Sequence, residues 1–254
     1  MKWTRRLIPA LKDNYMLLLS AVNGATIAVD PSEAEPIFVA LKEHQLTLKH
    51  ILCTHHHPDH VGGNLELKER TGCSISGSRR DETRVPGLDS IVSDNYQIEI
   101  LALPVLPLEI PGHTLGHVAF FFPTLGIVCV GDTLFGMGCG RLFEGTPQQM
   151  FTSLAKIARL PPETLVYCGH EYTQALGEFA NTLEPENTDL QRRRAEVAQC
   201  RAAGQPTVPF TLAEELKTNP FLRPQSPYIR KRLGLEKGTD LEVFTEIRRR
   251  KDNI

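Results

Sequence analysis

No uninterrupted apolar run in this chain approaches the roughly 20 residues that a membrane-spanning helix requires, so no segment reads as transmembrane. The opening Met1-Lys2-Trp3-Thr4-Arg5-Arg6 is basic but has no sustained apolar core after it, which argues against a secretory signal. Neither sign of charge is in excess: 28 Lys and Arg stand against 30 Asp and Glu, a formal charge of −2. A surface so balanced lacks the basic field on which nucleic-acid binding depends. The six cysteines form no Cys-x-x-Cys pair and several fall in apolar runs, so buried free thiols in a reducing cytosol are the simplest reading. No internal repeat is visible. At 254 residues and 41% hydrophobic content, the chain is long enough for one large domain and a small one.

What the chain has instead is a dense run of metal-ligand side chains, Thr54-His55-His56-His57-Pro58-Asp59-His60. Histidine is the commonest neutral metal ligand, and an interleaved carboxylate suits a borderline-hard divalent ion rather than a thiolate-loving one. The apolar stretch from Lys49 to Thr54 reads as a buried strand, and Val61-Gly62-Gly63-Asn64 leads into a helix start at Leu65. The ligands therefore sit at a strand-to-helix turn. Residues two apart in an extended segment face the same way, so His55 and His57 can share one ion, while Asp59 and His60, beyond the turn, can reach a second. His56 has the wrong parity and is expected to point away.

One cluster cannot complete two coordination spheres. His113, Asp132 and His170 are the further candidates, each standing where a strand-like run ends and each beside a glycine that permits close backbone approach. Alone, each reads more readily as a satisfied structural residue; together with the first cluster they read as ligands. Thr54 and Thr133, next to ligands, can hydrogen-bond within the site; His117 reads as a supporting or a plain structural residue; His44 and His50 read as ordinary surface or strand-edge residues.

The set His-x-His-x-Asp-His, Pro111-Gly112-His113-Thr114, Gly131-Asp132-Thr133-Leu134-Phe135 and Cys168-Gly169-His170-Glu171-Tyr172 resembles the metallo-β-lactamase superfamily, and within it the hydroxyacylglutathione hydrolases, or glyoxalase II. Gly138 to Thr146 resembles the glutathione-contacting segment of that branch, and Arg248-Arg249-Arg250-Lys251-Asp252 its C-terminal basic signature. The resemblance implies an α+β fold, a four-layer αββα sandwich over residues 1–172 with a small helical substrate-binding domain over 173–254. It implies two divalent metal ions, zinc first with iron or manganese as alternatives. His55, His57 and His113 go to one ion, Asp59, His60 and His170 to the other, and Asp132 bridges. A hydroxide between the ions is the implied nucleophile, with no separate catalytic side chain.

The implied substrate is an S-(2-hydroxyacyl)glutathione, above all S-D-lactoylglutathione, cleaved to glutathione and D-lactate in the second step of methylglyoxal detoxification. Arg141, Phe143, Tyr172, Arg248 and Lys251 match the glutathione contacts, and guanidinium groups suit the two carboxylates of that tripeptide. Some family members have tyrosine where Phe143 stands, which removes a hydroxyl contact. A solvated helix end complementing the macrodipole is the plain alternative for Arg248 to Lys251. A cytoplasmic monomer is expected. A β-lactam hydrolase would often carry cysteine at the position of Asp132, a persulfide dioxygenase would use a single iron, and a nuclease of the superfamily would need a broad basic surface. A scaffold with a relic site would not need all seven ligands.

Elsewhere the periods predict strands at Ala25 to Asp30, Cys73 to Ser76, Gln97 to Leu103, His117 to Phe122 and Leu165 to Cys168. They predict helices at Glu33 to Gln45, at Thr146-Pro147 onward with Met150, Leu154 and Ile157 on one face, and at Thr173 to Leu183, Asp189 to Ala203, Leu212 to Lys217 and Asp240 to Lys251.

Overall fold

A computed structural model describes residues 2–253. It contains two compact units, one made of the residues up to Glu109 with Gly116–Gly131, the other of Ile110–Leu115 with the residues from Asp132 onward.

In the first unit, β1 (Trp3–Ala10), β2 (Asn14–Ala21) and β3 (Ala25–Val29) form an antiparallel meander. The sheet continues in parallel through α1 (Ala34–Glu43), β4 (Thr47–Leu52), α2 (Pro58–Val61), α3 (Asn64–Thr71), β5 (Ser74–Ser78) and β6 (Ser90–Val92). Met16, Leu18, Ile37, Ile51, Leu67 and Ile75 pack into its core. The sequence periods do not reveal β1 or β2. β1 is half-exposed and carries Arg5 and Arg6, while β2 is apolar on both faces, and a continuous apolar run has no period to distinguish strand from helix.

A second set of strands in this unit runs β7 (Ile98–Ile100), β8 (Leu103–Glu109), β9 (Val118–Phe122) and β10 (Ile127–Gly131), each antiparallel to the next. The single strand expected over Gln97 to Leu103 is thus a hairpin. Leu101 and Ala102 reverse the chain at φ 53° and 60°, a conformation usually given to Asn-Gly, so no turn signal marks it.

The second unit holds the small hairpin β11 (Leu134–Phe135) and β12 (Gly138–Cys139), then α4 (Pro147–Ile157), β13 (Leu165–Cys168), α5 (Thr173–Leu183), α6 (Thr188–Ala202), β14 (Phe210–Thr211), α7 (Leu212–Thr218), α8 (Pro227–Leu233) and α9 (Asp240–Asp252). Thr146 caps α4 in a reciprocal box with Gln149, and Pro147 fills the first turn, where its missing N–H costs nothing. Thr211 with Glu214 and Thr239 with Glu242 start α7 and α9 in the same way.

A buried polar cluster fixes the hairpin from the helical side. Glu215 and Asn219 are fully buried. Asn219 Nδ2 donates to the Gly138 carbonyl (2.9 Å) and to Glu215 Oε2 (2.8 Å), which also accepts the Met137 N–H (3.0 Å). Burial pushes the Glu215 carboxyl up, against the pull of Arg193 at 2.5 Å. A half-satisfied version of such a cluster would be strongly destabilising, so the hairpin is held in one register.

Among the described residues no helix is long and apolar enough to cross a membrane.

Candidate metal centre and adjoining cleft

Cys53, Thr54 and His55, all buried, follow directly on the C-terminal end of β4, an interior strand of its sheet. His57 is still extended (φ −60°, ψ 141°) and stands as the N-cap of α2, whose single turn carries Asp59 and His60. The rings of His55 and His57 lie 4.7 Å apart and those of His55 and His60 4.2 Å apart. His56 is directed elsewhere, toward Asp81 (3.3 Å), and accepts Nη1–H of Arg84 at Nε2 (3.2 Å). His117 stacks on His55 with centroids 4.6 Å apart. His44 caps the end of the exposed α1 terminus, and His50 meets the Ser76 hydroxyl at 2.8 Å.

Asp30, not singled out from sequence, organises this set. It is buried, at φ 49°, a left-handed conformation that aspartate tolerates better than most residues. Its Oδ1 accepts the Thr54 N–H (2.7 Å) and its Oδ2 accepts the Thr54 hydroxyl (2.6 Å) and His60 Nδ1–H (3.1 Å). With its proton given to Asp30, Thr54 Oγ1 accepts from His55 Nδ1 at 3.0 Å. Both imidazoles are thereby fixed with the proton on Nδ1 and the lone pair on Nε2, the form that binds a cation. Asp30, His55 and His60 have ligand atoms within 4.8 Å of one another. Asn14, also missed from sequence, donates Nδ2–H to Asp59 Oδ2 at 3.0 Å. The signal for Asp30 was there: like Asp132, it is a carboxylate closing an apolar strand.

In the second unit, His113 Nδ1–H donates to the Arg141 carbonyl at 2.8 Å, so its Nε2 also bears the lone pair. That nitrogen lies 3.5 Å from Asp132 Oδ2, and His170 Nε2 lies 3.3 Å from the same oxygen. His60 Nε2 likewise faces Asp59 Oδ2 at 3.6 Å in the first unit. Lone pairs facing carboxylate oxygens repel unless a cation sits between them. The donors are imidazole and carboxylate only, so a borderline or hard divalent ion fits them. Thr133 Oγ1 is buried and has no hydrogen-bond partner among the described residues; the orienting role suits Thr54 alone.

Gly140 closes the hairpin against Asp132. A Cβ there would stand 1.8 Å from the Asp132 carbonyl oxygen and 3.3 Å from His113 Nδ1. Gly140→Ala is therefore expected to displace the Asp132 backbone and to destabilise the protein by roughly 3 kcal/mol or more. Urea unfolding with parallel metal analysis checks this; an unaltered midpoint and metal content would refute it.

Beside His113 and Asp132 opens a cleft of about 400 Å³, lined by Arg141, Phe143, Tyr172, Arg248 and Lys251. Tyr172 lies flat on His170 (4.7 Å, 3°) and Phe143 meets His113 edge-on at 5.2 Å. Phe143 and Arg141 are mostly exposed, whereas Arg248 is buried. The Lys251 ammonium is pushed down by burial and by the nearby cations Arg248 and Arg141.

Residues 17–170 match the metallo-β-lactamase superfamily model, and residues 171–254 match the model of the hydroxyacylglutathione hydrolase C-terminus. A hydroxyacylglutathione hydrolase of Methylococcus capsulatus is 52% identical over 246 residues, 96% of each chain. Among solved structures, ETHE1 from Myxococcus xanthus superposes with a TM-score of 0.70 at 23% identity, covering 99% of this chain and 92% of that one. TTHA1623, solved in a di-iron-bound form, gives a TM-score of 0.62 at 25% identity over 85% of this chain and 98% of its own. The fold is α+β, as the resemblance implies, and of the metallo-β-lactamase type. With half its residues shared along almost its full length, this chain belongs to the hydroxyacylglutathione hydrolases, the glyoxalase II branch of the metallo-β-lactamase superfamily.

Proposed function

We propose that this chain hydrolyses the thioester of S-(2-hydroxyacyl)glutathiones, S-D-lactoylglutathione first among them, to glutathione and the free 2-hydroxy acid. Family membership gives the reaction class. The single observation that carries the metal requirement is the pairing of His113 Nε2, its lone pair fixed by the Arg141 carbonyl, with Asp132 Oδ2 at 3.5 Å.

In this reading His55, His57 and His113 hold one ion, Asp59, His60 and His170 the other, and Asp132 bridges. Zinc is the ion we favour, since a thiolate leaving group suits it; iron is supported by the di-iron form of TTHA1623, and manganese by the oxygen and nitrogen donors. The chemistry supplied on binding is a lowered water pKa and Lewis-acid polarisation of the carbonyl. The chain's own part is to orient. Asp30 and Thr54 set the imidazole tautomers, Tyr172 holds the His170 ring by stacking, and Phe143 and Tyr172 offer a ligand in the cleft apolar faces beside His113 and His170. Arg141 and Lys251 meet the carboxylates of the tripeptide. Residues 1–172 act as the catalytic domain and 173–254 as the substrate-binding one. Six free cysteines favour a reducing compartment, and the cytoplasm and a monomeric state complete the reading.

Steady-state cleavage of S-D-lactoylglutathione, set against a lactoyl thioester of a non-glutathione thiol under the same zinc supply, tests the reading. Fast turnover of the glutathione ester alone is expected, and Arg141→Ala is expected to raise its KM roughly 5- to 20-fold with little change in kcat. Equal rates on both thioesters would remove glutathione from the assignment.

A further inference from the structure

Helix α9 ends against its own dipole. Its last turn carries Arg249, Arg250 and Lys251, cations where the helix C-terminus favours them, and then closes on Asp252, a carboxylate where one is disfavoured. Two arginines account for it. Asp252 Oδ1 lies 2.9 Å from Arg248 Nη2 and 3.7 Å from Arg141 Nε.

The two contacts differ in kind. Arg248 is 5% exposed, and its Nη1 donates to the carbonyls of Cys139 (2.9 Å) and Gly140 (3.3 Å), with the guanidinium 5.2 Å over the Phe221 ring. Both of its terminal nitrogens are engaged inside the protein. The Arg141 side chain is 62% exposed, and at 3.7 Å its tie to Asp252 is an ion pair without a hydrogen bond. Lys251 feels all three groups: Arg248 and Arg141 lower its pKa, and Asp252 works the other way.

We infer that Asp252 is a specificity-determining residue, a built-in counter-ion that locks Arg248 onto the β12 backbone and holds Arg141 loosely until a substrate carboxylate takes its place. The inference rests on the glutathione-thioester reading and deepens it. Without Asp252 the cleft would present three uncompensated cations and would retain any small anion, released glutathione included. With it, an incoming carboxylate gains only the difference between two ion pairs at Arg141. Binding then requires the apolar contacts with Phe143 and Tyr172 as well, which a simple anion cannot make. Arg248 acts as a positioning residue, through the carbonyls it holds, and Arg141 with Lys251 meets the ligand.

The test is made on the full-length, zinc-loaded protein with the thermal midpoint of every variant recorded. Asp252→Asn is expected to lower KM for S-D-lactoylglutathione roughly 3- to 5-fold, to lower the inhibition constant of glutathione by at least as much, and to make sulfate an inhibitor at concentrations harmless to the parent. Asp252→Glu, which keeps the charge, is expected to return these constants to parental values. An unchanged or raised KM in a folded asparagine variant would overturn the inference. Should that variant not fold, the unmodified protein decides: on titration with glutathione, the Arg141 Nε–H resonance moves in a nitrogen-proton correlation spectrum while that of Arg248 stays. Movement of Arg248 alone would overturn the inference equally. Parent protein that binds glutathione without cleaving its thioesters would sink the hydrolase reading, and the counter-ion idea would still stand or fall on glutathione affinity.

Discussion

Asp132→Ala is expected to abolish thioester hydrolysis, lowering kcat/KM by roughly 1000-fold or more, and to reduce the metal that co-purifies with the protein. Two imidazole nitrogens, from His113 and His170, converge on one oxygen of this carboxylate at 3.5 and 3.3 Å. The carboxylate is the only anion among the three, and it is buried. Its removal leaves neutral nitrogens with no charge to offset that of a divalent ion. Asp132→Asn makes the sharper comparison, since it keeps the volume and loses only the charge. Metal content by elemental analysis and initial rates are the measurements. Retention of two equivalents of metal together with the parental rate would end the bridging assignment.

The second large effect is expected at Asp30. In Asp30→Asn the amide fits the same space, and asparagine tolerates the positive φ as well as aspartate does. Its nitrogen, however, cannot accept from both the Thr54 hydroxyl and His60 Nδ1–H. If the amide oxygen keeps the Thr54 N–H at 2.7 Å, the amide nitrogen faces His60, and the imidazole must move its proton to Nε2. The nitrogen that should carry the lone pair is then blocked. Affinity for a divalent ion is expected to fall about 10- to 100-fold, with the protein still folded. Asp30→Ala removes the acceptor of three buried donors, the Thr54 N–H, the Thr54 hydroxyl and His60 Nδ1–H, and is expected to cost several kcal/mol of stability, on the order of 1–3 kcal/mol per unpaired group. Zinc titration with a chromophoric chelator, beside thermal denaturation, separates the two effects. Parental affinity in a folded asparagine variant would show that Asp30 does not set the tautomer.

The candidate ligands were legible because they are close in sequence or close to strand ends. His55 and His57, two residues apart, bring their rings to 4.7 Å of each other, although the chain bends at Thr54 and His55 instead of running on as the strand that the spacing suggests. The supporting residues were not legible for the opposite reason. Asp30 reaches Thr54 because β3 and β4 run parallel with Val29 beside Leu52, a register that no local period encodes. Asn14 reaches Asp59 across 45 residues by the same kind of accident of sheet order. Arg248 was legible as a charge, but its burial against Cys139 and Gly140 depends on where α9 packs. Helices with caps were read nearly to the residue, as at Thr146; β2 and the Leu101-Ala102 reversal carry neither period nor turn residue and were not.

The course of the chain through its two units sets an order of maturation. Asp30 is synthesised before Thr54 and His60, so in the first unit the acceptor is waiting when its donors emerge. Ile110–Leu115 belongs to the second unit, but the chain returns to the first for Gly116–Gly131 before going on. His113 therefore leaves the ribosome 28 residues ahead of the Arg141 carbonyl that fixes its ring, a delay of roughly 1–6 s at ordinary translation rates. Its partner His170 follows later still. In the first unit the contacts of Asp30 with Thr54 and His60 can thus form early, whereas in the second the two imidazoles that face Asp132 are both in place only once β13 and His170 have been made.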